Sequence, residues 1–294
     1  MRSLVFIGLI LYSHASFAQN NSNSKAEVPT KLSYLQIDPE IWKVKKGIKH
    51  TKTVRIDKII DPLTIILKDE TVIRLASIDI PNDKNSDWNI QALAYLNEML
   101  PERTEVMLYQ TRNAKSGRVN RMNHQLAHLI IKDKNIWVQG SLLNEGFARI
   151  YTAPNQDELL DDMRAAENKA IDEQKNIWGK ATPFAIKTPE NLDDLIGEFV
   201  VVEGTVQKVA NIKNNAYLNF GKDWKTDFTV MLTSDNRREL SKNGLNAQML
   251  AHKPVRIRGW LREYNGPLIE LEDISHLQIL PNPSNLPTTT ENNE

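Results

Sequence analysis

Between Val54 and Asp83 the chain reads VRIDKIIDPLTIILKDETVIRLASIDIPND, and this stretch limits the possible folds more than any other. Two apolar runs, Thr64–Leu67 and Thr71–Ile78, are joined at Lys68-Asp69-Glu70. In the second run Val72, Arg74 and Ala76 alternate with Ile73, Leu75 and Ser77. A period of two is that of a strand, so one face is expected to be buried while Arg74 projects from the other. Asp79 follows at the strand end, before the Ile80-Pro81 turn, and Asp61 sits just ahead of the first run. A hard cation such as Ca²⁺ takes carboxylate oxygens, and a phosphate matches the two-pronged fork of an arginine. A carboxylate and a guanidinium at the mouth of a small barrel are what a phosphodiester site needs.

The remainder of the chain sets bounds on that idea. Its 294 residues leave room for two ordinary domains with their own cores, and 40% hydrophobic with 25% charged residues is a globular composition. The 37 basic and 37 acidic side chains cancel, so any nucleic-acid argument rests on local patches. Arg2, the apolar Leu4–Tyr12 and the small-x-small Ser16-Phe17-Ala18 predict a secretory signal peptide over residues 1–18. An exported protein, in a bacterial periplasm or secreted, is the expectation. That run is too short for a membrane span and no later one reaches about 18 apolar residues, so a transmembrane chain is not expected. With no cysteine, disulfides and thiolate metal sites are excluded.

In order, residues 19–40 read as a flexible leader and 41–180 as the first domain. Ile41–Lys58 is basic, and its alternation suggests a solvated edge strand with lysine gatekeepers, or else a phosphate-attracting rim. Ile90–Leu100 has helical apolar spacing, Thr104–Thr111 and Gln125–Ile131 read as strands, and Arg112–Asn123 as the polar loop between them. Trp137–Ile150 predicts a short helix stopped at Gly146, then a strand, and Asp157–Trp178 the longest helix. Residues 181–192 form a Pro- and Thr-bearing linker. Residues 193–280 then carry β-runs at Gly197–Ile212, Ala216–Phe220, Asp227–Leu232, Pro254–Tyr264 and Pro267–Leu271, with a helix at Arg237–Leu250 between the third and fourth. That is the order of an OB-fold. Residues 281–294 read as a disordered tail.

The first domain resembles the staphylococcal nuclease (thermonuclease) family. The likeness rests on Arg74-Leu75-Ala76-Ser77-Ile78-Asp79-Ile80-Pro81, on the run from Leu142 to Ala148, and on Asn176-Ile177-Trp178-Gly179. It implies an α+β fold: a five-stranded OB-type barrel with three helices packed over it. With the second OB-type region, the expectation is two barrels in tandem. The resemblance further implies Ca²⁺-dependent hydrolysis of phosphodiesters. Carried across, Asp61 and Asp79 become metal ligands with the backbone carbonyl of Ile80, and Arg74 becomes the first phosphate-neutralising arginine. The second arginine falls at His124 in an ungapped alignment, or at Arg118 with an insertion. Two acidic positions depart from the family pattern: the second turn Asp is Leu63, and the Glu after Pro81 is Asn82. Asp83 and Asp87 are the nearby carboxylates available to replace Asn82. Without a ligand, Arg74 and Asp79 could instead pair with each other across the barrel mouth.

The second barrel offers Tyr217, Phe220, Trp224, Phe228, Trp260 and Tyr264, interleaved with Lys222, Lys225, Arg256, Arg258 and Arg262. Aromatic platforms in a basic groove are how OB-folds hold single strands. Arg121, Tyr151, Lys222, Lys225, Arg256 and Arg258 are therefore the candidate nucleic-acid contacts, against the alternative of core aromatics and a solvated charged face. Three functions follow from these residues: a nucleic-acid or phosphate-binding module (single-stranded DNA or RNA) with an incomplete catalytic site; a Ca²⁺-dependent nuclease with a rearranged one; or a scaffold that docks a protein or envelope partner.

Overall fold

The computed structural model describes residues 33–45, 47–81, 87–113, 117–153, 156–223 and 225–281. The predicted signal peptide and the tail beyond Pro281, together with Asn82, Asp83, Lys115 and Trp224, lie outside the described residues.

The first half runs α1 (Pro39–Val44), β1 (Ile48–Asp61), β2 (Thr64–Leu67), β3 (Val72–Leu75), β4 (Ile78–Asp79) and α2 (Trp88–Met99). It continues through β5 (Glu105–Thr111), β6 (Gln125–Ile131), β7 (Ile136–Trp137), α3 (Val138–Asn144), β8 (Arg149–Ile150) and α4 (Leu160–Asp172). Hydrogen bonds link β1 to β2, β2 to β3, β3 to β6, β6 to β5 and β5 back to β1. The ring is closed, with β3–β6 its one parallel pair, so the expected OB-type barrel is present. Strand β1 serves both neighbours because register shifts at His50/Lys52, Ile56/Lys58 and Ile59/Asp61 let it coil around the barrel. Ile56, Ile65, Ile73, Leu108 and Leu129 fill the interior, and α2, α3 and α4 add Leu96, Leu142 and Met163.

Two expectations about this half fail. Ile41–Lys58 is not one edge strand: residues 39–44 are helical, and β1 pairs with β5 along Ile48–Arg55 and with β2 from Ile56 onward. Asp38 caps the helix by accepting from the Glu40 amide, Pro39 starts it, and Trp42 packs edge-on to Tyr109 and Trp137. The run Thr71–Ile78 is not one strand either. Ser77 adopts a left-handed φ of 63° and is buried, with its hydroxyl donating to the Gln156 carbonyl at 3.1 Å. That break carries Asp79 out of the barrel sheet and onto β8, where Asp79 pairs in register with Arg149.

The resemblance motifs have structural causes. Gly146 ends α3 at φ 68°, and a Cβ there would lie 2.5 Å from the Lys175 carbonyl oxygen. The Gly146 carbonyl in turn accepts from the amide of Ile177, whose side chain is buried beside Trp178. The last predicted helix is shorter than its periodicity suggests: α4 stops at Asp172, and Asn176–Trp178 is a separate 3-10 turn.

The second half contains β9 (Phe199–Thr205), β10 (Lys208–Ile212), β11 (Asn215–Asn219), β12 (Thr229–Leu232), α5 (Ser234–Lys242), β13 (Pro254–Glu263), β14 (Pro267–Glu270) and β15 (Leu277–Ile279). The order β10–β11–β12–β14–β13, with β13 also pairing β9, repeats the first barrel's pattern, and β12–β14 is again the parallel pair. The helix is shorter than predicted, and β15 went unforeseen. Val202, Leu218, Phe228, Val230, Ile257 and Ile269 fill this core. Among the described residues, no helix is long and apolar enough to cross a membrane.

The two sheets meet along α4 and β8. Glu167, fully buried on α4, receives two hydrogen bonds from Arg258 (2.9 and 2.7 Å) and one from the Ile150 amide (2.8 Å). Arg256 donates to Glu203 at 2.6 Å and to Asn168 at 2.5 Å, and Arg164 donates to the carbonyls of Ser275 and Leu277. His276 Nε2 donates to the Thr152 carbonyl at 3.1 Å, which leaves its buried Nδ1 without a partner. Burial, reinforced by the Arg258 charge, pushes the His276 imidazole down to about 4, and burial takes His128 to about 3. Both rings are neutral at pH 7. Unfolding returns each to about 6.5, so between about pH 4 and 6.5 the unfolded chain binds more protons. Their contribution to stability is whole above about pH 6.5 and declines as pH falls toward 4. The urea midpoint should be lower at pH 5.0 than at 7.5, while the His276 ring resonance of the native protein stays at its neutral position in both.

Candidate phosphodiester site

The first group at the barrel mouth is built by the turn after β1. Asp61 Oδ1 accepts from the Leu63 amide at 2.8 Å, a side-chain-to-backbone turn typical of Asp. That turn points Leu63 inward, where it joins the barrel core. Arg74 lies opposite Thr64 in the β2–β3 register and donates to its hydroxyl at 3.3 Å, with Asp61 Oδ1 4.0 Å away. The Arg74 side chain is 39% exposed and uses one of five N–H groups in a hydrogen bond. This guanidinium is lightly held and faces water.

Asp79 is held differently. Nε and Nη2 of Arg149 both donate to Asp79 Oδ2, at 3.0 and 2.9 Å. The same guanidinium donates through Nη1 to the Phe199 carbonyl at 3.1 Å and lies 4.3 Å from the centroid of the Phe199 ring. Burial lowers the Arg149 proton affinity and Asp79 works in the other direction, but an arginine stays charged throughout the physiological range. Phe199 begins β9 in the second barrel, so the second barrel helps to fix a cation on the first barrel's carboxylate. The alternative of an Arg74–Asp79 pair is thereby corrected: each residue has another partner.

The other predicted site residues do not join this group. Arg118 directs Nε and Nη2 at the carbonyls of Thr111 and Arg112, tying its own loop. His124 stands one residue ahead of β6, whose Leu126 is the register partner of Arg74; its Nδ1 is buried without a partner. Ile80 is buried, and Asp83 lies outside the described residues. Of the nucleic-acid candidates, Arg121, Lys222 and Lys225 are exposed. Arg256 and Arg258 are corrected: both are buried at the seam and committed to Glu203, Asn168 and Glu167. Tyr151 packs there too, with ring centroids 5.4 Å from Phe199 and 5.9 Å from His276. Trp260, taken in one reading as core, is 45% exposed and stacks edge-on to Phe199.

Arg149, Phe199 and Glu167 escaped the sequence reading. A signal for Glu167 exists: it occupies the apolar stripe Met163, Ala166, Ala170 of α4, where a carboxylate requires a cation.

Among the described residues, the side chains at the barrel mouth do not make up the about 6–8 oxygens that a Ca²⁺ ion takes. Asp61 is engaged by the Leu63 amide and Asp79 by Arg149, and Leu63 brings no oxygen on its side chain. Among the described residues, no three His, Asp or Glu side chains group closely enough to hold a metal. No curated protein matches the chain. Residues 72–180 match the family model described as Staphylococcal nuclease homologue, a span from β3 to just beyond the Asn176–Trp178 turn that leaves out β1 and β2. The chain carries a staphylococcal nuclease homologue domain at residues 72–180.

Proposed function

We propose that the chain is a nucleic-acid-binding module that holds single-stranded DNA or RNA through metal-independent phosphate contacts and does not hydrolyse it. A staphylococcal nuclease homologue domain suggests either nuclease action or nucleic-acid binding, and the family is typically Ca²⁺-dependent. One observation carries the choice. Asp79, the carboxylate the family would give to the metal, is neutralised by Arg149, whereas Arg74 keeps free N–H donors facing solvent. A guanidinium with free donors grips a phosphate; a carboxylate already carrying a guanidinium offers a divalent cation little charge. Hydrolysis would also need a group to orient the attacking water. Losing one preorganised stabiliser of a transition state costs about 10²–10³ in rate.

The test uses end-labelled single-stranded DNA and RNA, with Ca²⁺ or EDTA, and an Arg74→Ala variant. The expected result is intact strands and binding that EDTA leaves unchanged. Binding should weaken as salt rises, with the log–log slope reduced by about 0.7 in Arg74→Ala, one phosphate contact on a single strand. Ca²⁺-dependent cleavage abolished by Arg74→Ala would overturn the reading in favour of a nuclease. Neither cleavage nor binding would overturn it in favour of a scaffold for a protein or envelope partner.

A further inference from the structure

The second barrel has a cavity of about 240 Å³ on its outer face, where β10, β11 and β12 meet the turn between β13 and β14. Alternation along the strands creates it. Ala216, Leu218 and Val230 point into the core, which sends Tyr217, Asn219 and Thr229 outward. Tyr264, 64% exposed, and Ile212 complete the apolar wall. The turn bearing Tyr264 is fixed by two consecutive left-handed residues, Asn265 (φ 51°) and Gly266 (φ 84°). A Cβ on Gly266 would lie 2.4 Å from the Thr226 carbonyl oxygen, so this turn packs closely on the loop before β12 and the cavity is preformed.

The chemistry of the lining restricts what fits. At about 240 Å³ the space is below the ~300–1,000 Å³ typical of sites for whole small molecules, so it suits one planar ring. Asn219 uses Oδ1 to accept from Thr229 at 3.2 Å, which leaves its amide N–H groups for another acceptor. None of the lining residues carries a carboxylate. Lys208, exposed on β10, is the register partner of Asn219, and exposed Lys222 follows three residues after it. Rings to stack on, amides to read an edge and flanking ammonium groups match a base between two phosphates. A neutral sugar would leave the flanking lysines without a counter-charge.

We propose that this cavity is a base-binding subsite, taking one nucleobase of a single strand against Tyr217 and Tyr264, its edge hydrogen-bonded by Asn219 and its flanking phosphates held by Lys208 and Lys222. The inference rests on the nucleic-acid reading above and adds a second contact surface, on the other barrel, that reads a base as well as the phosphates beside it.

The experiment compares the full chain with a Tyr217→Ala/Tyr264→Ala double variant, using labelled oligothymidylate and an abasic strand of equal length. Both tyrosines lie outside the core, and a thermal melt checks that the variant folds. The wild type should bind oligothymidylate more tightly than the abasic strand. The double variant should lose about tenfold or more on oligothymidylate and little on the abasic strand. Equal wild-type affinity for the two strands, or a variant unchanged on both, overturns the subsite and leaves the phosphate reading standing. No binding of either strand at low salt overturns both. Tighter binding of a neutral oligosaccharide, lost in the double variant, reassigns the cavity to a glycan.

Discussion

Glu167→Ala should cost about 3–5 kcal/mol of unfolding free energy, measured by urea denaturation at pH 7. The substitution leaves Arg258 almost wholly buried, still beside the Ile150 carbonyl at 3.1 Å but with no carboxylate to balance it. Removing one member of a buried ion pair is expensive because the remaining charge has lost its water and its counter-charge together. The Ile150 amide, in the strand that positions Arg149, loses its acceptor as well. A Glu167→Leu/Arg258→Met double variant tests the cause. With both charges gone and the volume kept, most of the loss should return. The pH dependence has a defined sign. Burial opposes ionisation of Glu167, but the charge and hydrogen bonds of Arg258 outweigh it and hold the carboxyl below its ordinary value. Its contribution is present above the ordinary carboxyl range and disappears as pH falls through the lower folded-state value, so variant and wild type should converge in acid. A loss under about 1 kcal/mol at pH 7 would mean that the two barrels do not make this contact in solution.

The barrels themselves were legible because a period of two at Val72–Leu75 and at Val255–Ile257 is a backbone signal, and closure follows from strand order. What the pattern left open was the occupant of each strand's outer face. Val-Arg-Ile-Arg at 255–258 reads as core alternating with solvated charge. The alternation is right, but water is replaced by α4, and the charged face becomes the seam between the barrels. The same ambiguity hid Arg149. In Ala148-Arg149-Ile150 it resembles any outward-facing arginine, and only the left-handed Ser77 brings Asp79 to it. What site residues named by analogy touch depends on contacts far apart in sequence, as Asp79 with Arg149 shows. Arg118 shows the converse: a cation in a polar loop looks available, and its own loop's carbonyls take it.

Arg149→Ala should change both stability and ligand preference. It deletes two hydrogen bonds to Asp79, one to the Phe199 carbonyl and the stack on the Phe199 ring. A stability loss of about 2–3 kcal/mol is expected, below that of a fully buried pair because 33% of the Asp79 side chain reaches solvent. The larger consequence is electrostatic. Asp61, Arg74, Asp79 and Arg149 together carry two positive and two negative charges; without Arg149 the balance is one negative. Phosphate binding at Arg74 should weaken several-fold at low salt, and the deficit should shrink at high salt, where the freed carboxylate is screened. Divalent cations should respond in the opposite sense. The wild type should show no Ca²⁺-induced rise in melting temperature beyond a Mg²⁺ control, because Asp79 already has its cation. Arg149→Ala should acquire such a rise, since a ligand that binds only the folded state stabilises it by mass action. Arg149→Lys separates charge from geometry: the ammonium still neutralises Asp79 but cannot reach both Asp79 and the Phe199 carbonyl as a planar fork does. It should therefore keep most of the phosphate affinity while losing part of the stability. A specific Ca²⁺ shift in the wild type, removed by Asp79→Asn, would show that the carboxylate is free after all and would return the site to metal chemistry.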